Sequence, residues 1–117
     1  MATKRPPRRL ETIAIVMERR HLVALLTAVK WVRGRTLGRG DEDAERVRAG
    51  AIPFLEKITQ TDSPTIRVPM SSVGAAVLAQ DALTHALTGN RESIEAGHAL
   101  VVAASNQWFP KDIEGDE

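Results

Sequence analysis

A chain of 117 residues, 43% hydrophobic and 26% charged, has the balance of one soluble globular domain rather than of a disordered segment. It contains no cysteine, which excludes disulfides, thiolate nucleophiles, iron–sulfur clusters and cysteine-held zinc. The net charge is only +1, but residues 1–39 hold ten Lys or Arg against two acids (+8) and residues 40–117 hold six against thirteen (−7).

The first ten residues read as a flexible basic arm. "KRPPRR" places Lys4, Arg5, Arg8 and Arg9 around paired prolines, and nothing in it can pack. The apolar run that follows, Ile13 to Met17, ends at Glu18 and is shorter than the roughly 7–15 residues of a signal sequence. The next, "LVALLTAVKWV" (22–32), carries a lysine and falls short of the about 20 residues of a membrane span. The expectation is a cytoplasmic protein with no membrane partner.

"TIAIVM" (12–17) is β-branched and alternating, which favours a strand over a lead into the first helix. "ERRHLVALLTAVKWV" (18–32) reads as that helix. "RGRTLGRG" (33–40) reads as a glycine-rich loop presenting Arg33, Arg35 and Arg39. A second helix opens at "DEDAERVRAGAI" (41–52), its acidic start suited to the helix dipole. Pro53 predicts a kink or restart there. "TIRVPM" (65–70) is a second short strand, with Pro69 suiting an edge. Ser71 and Ser72 are cap residues for a third helix, "SSVGAAVLAQDALTHAL" (71–87), whose apolar stripe reads as Val73, Ala76, Val77, Leu83 and Leu87. After "TGN", "NRESIEAGHAL" (90–100) opens a fourth helix. Trp31 and Trp108 read as core lids closing their helices, and residues 110–117 as an acidic tail.

The two strand segments resemble each other, and a pair of helices follows each. The fold class expected is therefore mostly α (α+β). A single helical domain spans 11–109, built by internal duplication from two β-α-α repeats, 12–60 and 65–108, whose short strands can pair about a pseudo-twofold axis. Aligning the second helices on their shared Ala–Gly matches Gly50 with Gly97, and close helix crossing is the simplest reason to keep a glycine inside both.

Three constellations invite chemistry. Glu18–His21 and Glu95–His98 each have the Glu-x-x-His spacing of helical di-iron sites, with Glu56 or Asp81 as nominal further ligands. The two pairs fall at non-equivalent places in the repeats, so no metal or other cofactor is assigned. Asp81 and His85, four apart, could form an acid-oriented base, but no nucleophile motif accompanies them and the pair reads as a wet helix face. No phosphate-binding or dinucleotide loop is present in the sequence.

The function expected is a non-enzymatic protein–protein interaction or assembly module that self-associates as a homo-oligomer. Small aliphatic residues and oppositely charged ends support that expectation. The alternative is a small nucleic-acid-associated regulator, gripping phosphates with Lys4, Arg5, Arg8, Arg9, Arg33, Arg35 and Arg39. The basic clusters lack interleaved aromatics, which disfavours single-strand stacking.

Overall fold

The computed structural model describes residues 12–36 and 41–108. Six elements follow one another: β1 (Thr12–Glu18), α1 (Arg19–Thr36), α2 (Glu42–Ile58), β2 (Thr65–Ser71), α3 (Ser72–Ala86) and α4 (Arg91–Trp108). The chain is mostly helical, with one small antiparallel sheet in which β1 pairs with β2.

The sheet forms because each segment alternates. Ile15 and Met17 of β1 and Val68 and Met70 of β2 turn inward, while Val16, Arg67 and Pro69 face out. Ile15 stands opposite Val68 at the centre of the ladder, with Thr12 opposite Ser71 and Glu18 opposite Thr65 at its ends. Both strands of a two-stranded sheet are edges, so the ladder tolerates the donor missing at Pro69. Each strand runs straight into a helix. The Arg19 amide, bonded to the Pro64 carbonyl at 2.8 Å, ties the first junction to the approach of β2.

Helix starts follow their caps. The Asp41 carboxylate accepts from the amides of Asp43 and Ala44 ahead of α2, and the Ser71 hydroxyl accepts from Gly74 ahead of α3. The Asn90 side chain accepts from the Ser93 amide in the first turn of α4. The turn between α3 and α4 closes through Gly89, whose φ of 95° lies in the left-handed region. So short a connection makes α3 and α4 antiparallel neighbours. Their contact is intimate at Gly97, where a Cβ would come 3.2 Å from that of Ala82. The core gathers Ile15, Met17, Val68 and Met70 from the sheet, Leu22, Leu25 and Val29 from α1, and Leu55, Leu78 and Leu100 from the other helices.

Several expectations need correction. Residues 33–36 are the last turn of α1 rather than loop, so the predicted Arg/Gly loop keeps only residues 37–40, which lie outside the described residues. Helix α2 runs through Pro53 without restarting. Gly50 is exposed, with open space where a Cβ would sit, so close crossing explains Gly97 alone. The inner face of α3 is Ala75, Leu78, Asp81, Ala82 and His85; the stripe read from sequence lies elsewhere, with Ala76, Leu83 and Leu87 exposed. Asp81 and His85 are therefore buried rather than on a wet face.

Candidate functional site

Two regions stand out among the described residues: a polar cluster inside the helices and an apolar face outside them. The cluster begins with Arg48 of α2, which donates to both Asp81 oxygens, from Nε at 2.7 Å and from a terminal nitrogen at 3.0 Å. Asp81 is 1% exposed, so the pair is desolvated and its fork geometry is what makes it tolerable. Burial pushes the Asp81 carboxyl above its ordinary value, against the downward pull of Arg48. The hydrogen bond to Asp81 in turn raises Arg48. One turn further along α3, His85 Nδ1 shares a 2.8 Å hydrogen bond with the Ser93 hydroxyl. The Trp31 ring lies 5.0 Å from the imidazole, tilted by 40°, and the Arg35 guanidinium sits 5.0 Å over that Trp31 ring.

An Asp, a His and a Ser thus lie near one another, but they do not form a nucleophilic site. Asp81 is committed to Arg48 instead of orienting His85, and Ser93 is 1% exposed, so its hydroxyl has no approach for a substrate. The cluster fixes how α2, α3 and α4 meet. Trp31 stacks on it, half-buried, and α1 continues one turn past that residue; the side chain of Trp108 lies outside the description.

The Glu-x-x-His pairs are drawn to one side of the molecule. Glu18, His21 and His98 line a shallow groove beside β1 and α4. Both carboxylates turn to Arg20, Glu18 at 2.7 Å and Glu95 at 3.9 Å, and the Arg20 bond holds the Glu18 carboxyl below its usual range. Among the described residues, no group of three or more His, Asp or Glu is placed to hold a metal ion.

Of the seven residues proposed to meet nucleic acid, Lys4, Arg5, Arg8, Arg9 and Arg39 lie outside the described residues. Arg33 and Arg35 are described, and both are engaged: Arg33 pairs with Glu45 at 2.7 Å, and Arg35 covers Trp31. The Arg33–Glu45 pair ties the last turn of α1 to the acidic start of α2.

The apolar face belongs to α3 and α4. Leu87 is 88% exposed, Leu83 54%, Ile94 50% and Val101 49%. The two helices meet beneath these side chains: Leu83 reaches Gly97 of α4, and Ala76 lines one cleft with Val101. Leu83 and Leu87 belong to the apolar stripe expected of the third helix, whereas the sequence pattern singles out neither Ile94 nor Val101 as a surface residue. Among the described residues no helix is long and apolar enough to cross a membrane. No family model, curated protein or solved structure matches the chain.

Proposed function

We propose that this chain is a non-enzymatic protein-interaction module of the cytoplasm that self-associates. The observation that carries this reading is the outward apolar surface of the α3–α4 hairpin. Four large aliphatic side chains, each about half exposed or more, share one face there. Large aliphatic side chains left exposed together on one face of a small domain are the kind of surface that partner contacts cover.

The two halves are proposed to be copies of one β-α-α unit. Exchanging every strand residue for the one 53 positions away leaves the β1–β2 register unchanged, centred on Ile15 and Val68. The buried positions of α1 (Leu22, Leu25, Ala28, Val29, Val32) fall 53 residues before those of α3 (Ala75, Leu78, Asp81, Ala82, His85). On this reading Asp81 and His85 replaced apolar positions of the older unit, and the polar cluster belongs to the second copy.

The test is sedimentation velocity of the full chain over a dilution series. The expected result is a shift from monomer to dimer as concentration rises, persisting in high salt because apolar contact drives it. A chain that stays monomeric into the high-micromolar range overturns the reading. The nucleic-acid alternative rests on the basic excess of residues 1–39. It is separated by anisotropy with labelled duplex DNA and RNA, comparing the full chain with one lacking residues 1–9. Binding that weakens with salt and with the truncation would favour it.

A further inference from the structure

The outer face of the α3–α4 hairpin is bulky at one end and hollow at the other. Leu83, Leu87 and Ile94 stand out near the turn that joins the helices. Toward the opposite end, a mostly apolar cleft of about 200 Å³ is lined by Ala75, Ala76, Ala79, Leu100, Val101 and Ala104, together with Ser72 and Ser105. Ala76 and Leu83 lie two helical turns apart on α3, about 10 Å. Gln80, which is exposed, stands between them.

The outward stripes have the spacing by which helices seat side chains into facing gaps. Ala76, Gln80, Leu83 and Leu87 follow steps of four, three and four, and Ile94, Val101 and Ser105 follow steps of seven and four. None of the seven is Asp, Glu, Lys or Arg, so a second such face can approach without like-charge repulsion and without stranding a carboxylate or guanidinium.

We propose that a second copy of this chain covers this face, related by a two-fold axis that passes beside Gln80 and runs the two hairpins antiparallel. Leu83 and Leu87 of each copy then fill the alanine-lined cleft of the other. This rests on the self-association proposed above and adds the face and its geometry. Bulk and hollow at opposite ends of one surface complement each other only when the second copy is turned end for end. A parallel arrangement sets leucines against leucines and leaves both clefts empty. The Gln80 amide can donate to and accept from its two-fold mate. Helices of these lengths, about 22 and 27 Å, packed about 9 Å apart, offer on the order of 500 Å² per copy. Two such faces bury roughly 1,000 Å², the lower bound of a specific interface.

The chain has no cysteine, so Gln80→Cys introduces its sole thiol. Under mild oxidation the full-length variant is expected to become a disulfide-linked dimer. Leu87→Cys, with its two copies about 20 Å apart, is expected to remain unlinked, since a disulfide needs Cα atoms within about 7 Å. In sedimentation equilibrium, Leu83→Glu and Val101→Glu are expected to weaken the dimer by at least about 100-fold, because each buries an unpaired carboxylate. Both side chains are about half exposed in the single chain, so helical circular dichroism should not change. A dimer indifferent to both glutamates and unlinked through Gln80→Cys would overturn this geometry and leave self-association standing. Linking through Leu87→Cys but not Gln80→Cys would overturn the antiparallel arrangement. A chain monomeric throughout overturns both.

Discussion

At the scale of single residues, the Arg48–Asp81 pair is where the molecule is most sensitive. Removing one partner strands the other inside the helices, so Asp81→Ala should lose about 3–5 kcal/mol in urea unfolding. Replacing both, as Arg48→Met with Asp81→Leu, should return stability to within about 1 kcal/mol of the parent or above it, because two ions no longer need desolvating. The pair also sets a pH dependence. Burial holds the Asp81 carboxyl above its unfolded value of 3.8, so the native state keeps that proton more tightly than the unfolded chain does. Its contribution is complete below 3.8 and is lost as pH climbs through the folded value. The stability difference between the parent and Asp81→Asn should therefore fall as pH rises through that window. A difference that grows instead would mean that Arg48 outweighs burial.

At the scale of the helix, two glycines that look alike in sequence differ in consequence. Gly50 faces open space in the interior of α2, so Gly50→Ala should stabilise by about 0.5–1 kcal/mol. At Gly97 a new methyl would sit 3.2 Å from Ala82 and require that neighbour to give by a few tenths of an ångström, so Gly97→Ala should fall short of that gain by about 1 kcal/mol or more. Thermal unfolding of the two variants side by side measures the contrast. The elements themselves were legible. Alternation marked both strands, Asp41 and Ser71 marked helix starts, and Gly89 with Asn90 marked the last turn. The facing of α3 was hidden. Its inward stripe carries an acid and an imidazole, while Leu83 and Leu87 put the larger apolar volume outside. Carrying the 53-residue offset from α1 onto α3 would have found it, because Leu22 and Leu25 lead to Ala75 and Leu78. The partners of Asp81 and His85 could not be read from the chain, since Arg48 is 33 residues from Asp81 and only the packing of α2 on α3 brings them together.

At the scale of the whole molecule, the charge imbalance between the two ends is partly spent internally. Lys30 meets Glu56 and Arg33 meets Glu45, both pairs joining α1 to α2. Exposed pairs of this kind contribute little to stability, and they lower the positive potential that α1 offers to a polyanion. Among the described residues, Leu83, Leu87, Ile94 and Val101 on the outer surface of α3 and α4 stay exposed, which is why the proposed assembly is placed there.

The strand pair has its own thermodynamic consequence. The β2 of a neighbouring molecule is identical to that of the same chain, so the ladder by itself gives β1 no means of telling the two apart. What keeps the pairing within one chain is the covalent path from β1 to β2, residues 19–64, whose helices α1 and α2 pack on the same core as the strands. Exchange of strands between molecules becomes competitive only as the chain's concentration approaches the effective concentration that this path imposes on β2.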